Sequence, residues 1–565
     1  MFMEKQDKFM KKSVLVSRKT EVIFGILGIL FLWGGIYDFS AAVYGLLLAI
    51  GMIYLSVKNR KWAFPIDATA GCLLIMMLCH VFSAFLARDK GMAIIGCVRM
   101  GVICLFWIFW CNVSENSRKT VWQSIPETAS IMTVISIIGY FIPELKKLLY
   151  AAERLGGFFQ YANTCALFLL LALIILMYRE NKSKREYAEC VILGIGIIFC
   201  GSRSVVVISG ILLLVFLVRG HGNKKILGIV VIAAVGIGAV LQLLMKLDLN
   251  RLFILSLNSS TLNGRLLYWR DALSIIVKRP MGLGYMGYYY LQPQFQTGVY
   301  TTKFVHNDFL QYALDAGIIC AAALVCIMLK GLFNKKSSRQ KRVVLAVLSL
   351  HCLFDFDLQF LSMFCLLLMC IETEQSKIKI CSVKKMYLEI GLTGICYVYF
   401  SIALGLAQFN LNDKALWLYP LNTEARLAVM QERDDAEAAE KVIRQNGMAA
   451  SAYECAAENY ISEAEYVKAY ENLESMLQCA GYNIYYYNQY VYYLSYCLDQ
   501  AVQNKDYNNG QKILEAIQNT PEKIDKLKNK VSFFAYRIND KPVLNLEVEV
   551  EAYIKNLSGL KLYEK

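Results

Sequence analysis

Apolar runs close to the length a helix needs to cross a bilayer, about 20 residues, recur along residues 21–408, each bounded by charged or glycine-rich breaks. They fall at 21–38, 41–57, 66–87, 91–111, 122–142, 160–178, 187–201, 203–218, 225–245, 307–330, 343–355, 358–372 and 386–408. The pattern predicts an all-α polytopic membrane protein with about 12 to 13 transmembrane helices. The runs 187–201, 343–355 and 358–372 are short enough to be tilted or re-entrant. Two polar stretches interrupt the series, a connection at 246–306 and a tail at 409–565. A connection of that length is uncommon unless it is folded or functional.

Helical spacing continues through the tail, with little proline or glycine between 424 and 518. The segments DDAEAAEKVI (434–443), EYVKAYENLESM (465–476) and DYNNGQKILEAI (506–517) resemble one another as the second helix of a helical hairpin. That recurrence fits degenerate tetratricopeptide-like repeats, and a plain helical bundle fits it almost as well. Tyrosines 482, 485, 486, 487, 490, 492, 493 and 496 crowd one stretch. Tyr stacks on sugar rings while keeping its hydroxyl wet, but packing in a repeat core explains the crowding more simply.

Lysine and arginine orient such a bundle, because short loops carrying them stay on the cytoplasmic side. With the N-terminus inside, the inside segments hold Lys5, Lys8, Lys11, Lys12, Arg18 and Lys19 and the basic loops at 58–61, 118–119, 179–185, 219–225, 330–342 and 377–385. The short outside loops hold only Arg88, Lys90, Lys146, Lys147, Arg154 and Arg203. The expected layout is therefore a cytoplasmic N-terminus at 1–20, a membrane domain at 21–408 with a large external loop at 246–306, and an extracytoplasmic domain at 409–565. The formal net charge of +14 is largely this topology signal and calls for no nucleic-acid partner. No small-residue cleavage site follows the first apolar run, so that run reads as a retained span. The eighteen cysteines are scattered, mostly inside apolar runs, without metal-type spacing. The odd three in the tail, Cys455, Cys479 and Cys497, argue against a disulfide framework.

Chemistry-bearing residues gather on the outside. In NGRLLYWRDALSIIVKRPMGLGYMGYYY (263–290), an amphipathic helix ends at Pro280 and lies along the membrane surface. Its Arg265 and Arg270 stand about 140° apart around the helix. Arg suits phosphate through its planar fork and permanent charge, although anchoring to anionic headgroups accounts equally for both residues. Gly282, Gly284 and Gly287 match G-x-G-x-x-G, but no βαβ unit surrounds them, so a dinucleotide site is rejected and a tight turn expected. His306 and Asn307 open the tenth run, where a helix N-terminus favours anions and a histidine can take a proton. Arg203 lies between two short runs near the outer surface, and Arg99 lies inside the fourth run, where it needs a partner or a wet cavity. His351, Asp355 and Asp357 close the set; the first two are expected on one helix face, in a supporting or structural role.

The pieces RLGGFFQYANTCALFL (154–169), GSRS (201–204), NGRLLYWRDALSIIVKRPMGLG (263–284), HNDFLQYALDAG (306–317) and HCLFDFDLQF (351–360) occur in one order on one side. In these pieces the chain resembles the O-antigen ligase and O-antigen polymerase superfamily of bacterial membrane proteins. The resemblance implies a C-type glycosyltransferase-like fold in the cytoplasmic membrane. It also implies surface-polysaccharide biosynthesis from an undecaprenyl-diphosphate-linked glycan, without metal or other cofactor. By similarity, Arg203 and Arg265 hold the diphosphate and His306 orients or deprotonates the acceptor hydroxyl. The expected substrate-binding set adds Arg270, Arg154, Asn163, Asn307 and Arg99. Implied partners are the lipid-linked oligosaccharide donor, a glycan, lipid or wall acceptor, the bilayer, and polysaccharide-assembly proteins meeting 409–565.

Ligation and polymerisation are not separated at this level. A transporter or flippase of lipid-linked glycan is the competing class, but inverted-repeat transporters pair broken helices in both halves, whereas here the polar groups cluster on one side. A wall-binding scaffold would leave His306 and the arginines unexplained.

Overall fold

Many of the helices begin on a side chain that satisfies one of their first free N–H groups. Asp67 accepts from Ala70, Asp89 from Met92, Ser114 from Ser117, Ser259 from Leu262, Asn307 from Leu310 and Ser338 from Lys341, while Ser183 and Glu186 form a reciprocal capping box. The result, in a computed structural model that describes residues 27–59, 62–218, 224–245, 259–373, 378–381, 383–433 and 435–562, is an all-α polytopic membrane protein. The expected cytoplasmic residues 1–20, the first part of the 21–38 run and the start of the external loop at 246–258 lie outside the described residues.

Four helices are long and apolar enough to cross a membrane alone: Asp38–Val57, Ala68–Leu86, Lys90–Asn112 and Tyr387–Gln408. Shorter apolar helices include Ala162–Met177, Arg203–Phe216 and Ile318–Phe333. Several expected spans are therefore broken. The first does not run to residue 38, because Trp33, Gly34 and Gly35 take positive φ and end the helix before Asp38. The run 307–330 is two helices, Asp308–Ala316 and Ile318–Phe333, divided at Gly317. The run 358–372 holds a 3-10 turn and the nine-residue helix Leu361–Met369, every residue of which is buried. Irregular backbone at membrane depth is tolerated where protein surrounds it and supplies its hydrogen bonds.

Two sets of loops occupy opposite ends of the bundle. At one end the strand Trp62–Pro65 pairs antiparallel with Ile378–Cys381, Lys341 meets Glu372 at 2.9 Å and Trp122 Nε1–H donates to Gln340 at 2.8 Å. At the other end the C-terminal segment is bonded to the membrane helices. Asp89 accepts from Thr423 Oγ1 at 2.6 Å and Asn446 Nδ2 at 2.7 Å, and Tyr419 donates to the carbonyl of Gly91 at 2.7 Å. Burial pushes the Asp89 carboxyl up in pKa, against the pull of these donors. Gly91 is required there, since an added Cβ would sit 1.8 Å from the Leu421 carbonyl oxygen.

The C-terminal helices pack in sequential hairpins: Thr423–Arg433 on Ala436–Gln445, Ala450–Ser462 on Tyr466–Ala480, and Ile484–Gln503 on Tyr507–Gln518. The three similar segments are the second helix of each. Tyr482, Tyr487 and Tyr490 are buried and Tyr485, Tyr492 and Tyr496 exposed, so the tyrosine stretch divides between core and helix surface. Cys455, Cys479 and Cys497 are buried, and no disulfide joins them.

Candidate functional site

The helix Ser260–Lys278 buries Leu267, Ala272 and Ile275 and stops just before Pro280, whose ring would clash with the preceding turn. Beyond it the chain zips against the break in the 308–333 pair. Leu283 N–H donates to Leu314 O at 2.7 Å, Gly284 N–H to Asp315 O at 3.0 Å and Ile318 N–H to Pro280 O at 3.0 Å. Gly282 (φ +88°) and Gly317 (φ +89°) meet at this seam, where an added Cβ on Gly282 would lie 2.7 Å from Gly317 N. The Pro-x-Gly-x-Gly run is thus a turn, as expected, and it holds a broken helix in place.

That seam fixes the segment carrying His306. His306 takes φ +53°, a region costly for a residue with a Cβ, and its surroundings enforce it. Trp269 Nε1–H donates to the His306 carbonyl at 3.1 Å, Val305 N–H donates to Gln311 Oε1 at 3.0 Å, and Asn307 caps the following helix while its Nδ2 donates to Leu353 O at 2.9 Å.

Asp355 is the centre of the polar cluster. Its Oδ1 accepts from Tyr161 OH at 2.8 Å and pairs with His306 Nδ1 at 3.0 Å; its Oδ2 accepts from Asn163 Nδ2 at 2.8 Å and Arg265 Nη2 at 3.0 Å. The side chain is 1% exposed. Burial alone would raise its pKa, but the His306 hydrogen bond and the Arg265 guanidinium outweigh it and hold the carboxyl well below the usual range. A carboxylate only accepts, so His306 Nδ1 carries a proton toward Asp355, leaving Nε2 as the nitrogen able to accept one. Arg265 Nε is buried without a hydrogen-bond partner among the described residues.

These groups border a pocket of about 460 Å³ lined by Arg154, Asn163, Arg203, Ser204, Arg265 and His306, with Ile538 and Asp540 of the C-terminal segment closing one side. Arg154 is held by Cys200 O at 2.9 Å and Asn163 Oδ1 at 2.7 Å. Across Tyr161 lies a second cavity of about 490 Å³, walled by Tyr37, Phe304, Phe356 and Phe360 and bordered by Lys303 and Glu424. Tyr161 lines both, and its ring centroid is 4.7 Å from that of Phe356.

Five of the eight site residues expected from sequence, Arg154, Asn163, Arg203, Arg265 and His306, thus meet in one pocket. Three do not border it. Arg99 is buried in an ion pair with Asp38 at 2.9 Å and donates to the carbonyls of Gly35, Ile36 and Gln359, so its charge and donors are already used inside the protein. Arg270 is exposed on another face of its helix, as the 140° separation from Arg265 requires. Asn307 spends its amide on the cap and on Leu353.

His351 and Asp355 do not share a helix face: the helix ends at His351, and the turn sends Asp355 to His306 and gives His351 to Asp357. Asp308, Cys352 and Asp357 bring ligand-type atoms within 4.8 Å of one another in the interior. Asp308 already accepts from Leu358 N–H, and Asp357 from Thr164 and His351, so these carboxylates serve to tie three elements together. The central position of Asp355, and Tyr161 as its donor, were missed from sequence; the available signal was an acid in an apolar stretch that has to be paired.

Residues 188–325 match a family model described as O-Antigen ligase, Wzy_C, and the matched stretch holds Arg203, Arg265 and His306. No curated protein and no solved structure matches the chain.

Proposed function

We propose that this multi-pass membrane protein, whose residues 188–325 match the O-antigen ligase family model, acts in polysaccharide assembly as a glycosyltransferase that uses an undecaprenyl-diphosphate-linked glycan. The observation that carries this reading is the pocket in which Arg154, Arg203 and Arg265 surround a histidine backed by a buried carboxylate. Arginines in a partly enclosed site neutralise the charge that grows on a departing diphosphate.

In the proposed reaction His306 Nε2 takes the proton of an acceptor hydroxyl, and that oxygen bonds to the anomeric carbon of the donor. The carbon–oxygen bond to the diphosphate breaks, and its electron pair stays on the diphosphate beside the arginines. Asp355 fixes the histidine tautomer and carries the counter-charge. The aromatic cavity beyond Tyr161 suits sugar rings, because flat rings bury the carbon faces of a saccharide while the polar rim meets its hydroxyls. The pocket faces the outside in an N-in, C-out arrangement, which the loop charges favour. Repeat-unit polymerisation and ligation to a different acceptor both use this chemistry.

The test is product formation by purified protein from a lipid-diphosphate-linked oligosaccharide, comparing wild type with His306→Ala and Arg265→Ala across acceptors. Longer glycan still on lipid identifies polymerisation, and transfer to another acceptor identifies ligation. Movement of the lipid across vesicles with no product from any donor and acceptor would overturn the enzyme reading in favour of a flippase.

A further inference from the structure

A serine, a histidine and an aspartate stand in series behind the polar pocket, and the reaction above uses none of them. Asp357 Oδ2 lies 2.5 Å from His351 Nδ1, and His351 Nε2 lies 3.0 Å from Ser204 Oγ. The other Asp357 oxygen accepts from Thr164 Oγ1 at 2.8 Å. His351 and Asp357 are 1% and 0% exposed, whereas Ser204 lines the pocket together with Arg203 and Arg265. The row thus runs from the protein interior to the pocket wall, and its one ligand-accessible end is a hydroxyl.

We propose that Ser204 is a contact for a phosphate group of the lipid-linked donor, with its hydroxyl set in place by the His351–Asp357 pair. This rests on the donor reading above. Ser204 sits in the first turn of the helix Arg203–Val218, so a group bound at its hydroxyl also lies at the positive end of that helix. A carboxylate accepts only, so Asp357 takes the Nδ1–H of His351, and with an anionic ligand bound the doubly protonated ring donates its Nε2–H to Ser204 Oγ. Ser204 also exchanges a hydrogen bond with Ser202 Oγ at 3.2 Å. The two contacts hold the serine rotamer against the wall, and with His351 Nε2–H donating to its oxygen Ser204 keeps its single O–H for a phosphate oxygen held between Ser204, Arg203 and Arg265. A buried His–Asp pair is a poor choice for stability alone, because apolar residues of similar volume do as well or better. Besides tying its elements together, the pair stands where it orients the serine. Ser204 is then a binding residue, and His351 and Asp357 are positioning residues acting through it.

The test uses the full-length protein in detergent, with undecaprenyl diphosphate as the binding probe and steady-state kinetics on the lipid-linked glycan as the second readout. Ser204→Ala should weaken binding about tenfold and raise KM for the donor more than it lowers kcat, as expected for one lost hydrogen bond to a charged group. Ser204→Thr, which keeps the hydroxyl, should bind like wild type. His351→Phe should weaken binding as Ser204→Ala does, and the double variant should lose no more than either single one, because the two act as a unit. Wild-type affinity in a folded Ser204→Ala protein, or losses that multiply in the double variant, would overturn the proposal. Should His351→Phe not fold, the Ala and Thr variants at Ser204 decide it. If wild type binds undecaprenyl diphosphate and Arg265→Ala weakens it while Ser204→Ala does not, this proposal fails and the donor reading stands. No binding by wild type would remove both.

Discussion

Asp355→Asn tests the core of the site, because the replacement keeps the shape and inverts half of the hydrogen bonding. The native carboxylate receives Tyr161, His306 and the Phe356 N–H on one oxygen and Asn163 and Arg265 on the other. An amide offers one acceptor oxygen and one NH₂, so its NH₂ faces three donors in one orientation and two in the other. Each buried donor left unpaired costs about 1–3 kcal/mol, and Arg265 loses the counter-charge of a buried pair, for which removal of one partner typically costs about 3–5 kcal/mol. These costs overlap, and a net loss near 3 kcal/mol corresponds to roughly a hundredfold fall in turnover if it is felt in the transition state. The assays are glycan transfer and thermal unfolding in detergent, run together. The sign of the pH dependence follows from the depressed carboxyl. Its stabilisation is complete above the ordinary carboxylate pKa of about 4 and is lost only as pH falls through the lowered folded value. Wild type should therefore show no Asp355-linked loss of stability between pH 5 and 8. Wild-type turnover together with a wild-type unfolding temperature in Asp355→Asn would refute the argument that this carboxylate organises the site.

Trp269→Phe removes the indole donor to the His306 carbonyl while keeping most of the packing; a loss near 1 kcal/mol predicts about a fivefold fall in kcat with little change in donor KM, read by steady-state kinetics. Arg99→Leu takes the counter-charge from the half-buried Asp38, leaving it Tyr285 OH as a donor, and removes the Arg99 donor from three carbonyls, so unfolding should move to lower temperature by the equivalent of about 3 kcal/mol, while surviving protein keeps its affinity for undecaprenyl diphosphate; a selective loss of that affinity would restore Arg99 to the substrate-binding set. Gly91→Val places side-chain atoms where the Leu421 carbonyl lies and should loosen the C-terminal helices from the membrane domain, detected as faster limited proteolysis near residues 419–423; unchanged cleavage would mean the contact is not needed for docking.

What was legible in the sequence and what was not divide along one physical line. Apolar runs of membrane length announce helices because the bilayer leaves few alternatives, and the long helices Asp38–Val57, Ala68–Leu86 and Lys90–Asn112 fall where the runs are. The break at Gly317 was invisible locally: one glycine in an apolar run looks harmless, and its reason is the backbone of residues 280–284 zipped against it. The same separation of local from distant cause governs the site. Arg203 drew attention as a cation between two short runs, Arg265 as a phosphate-type cation on a surface helix, and Arg99 as a charge inside a run. Sequence says that a buried arginine needs a partner; it does not say whether that partner is a carboxylate of the chain or an anion from outside. Asp38 answers for Arg99. For Arg265, Asp355 answers only in part, since a guanidinium has five donors, its Nε–H is buried without a partner among the described residues, and the group borders an open pocket. The distinction between an arginine that holds the fold and one poised for a ligand lies in this unspent capacity, which depends on how many acceptors the fold brings to it.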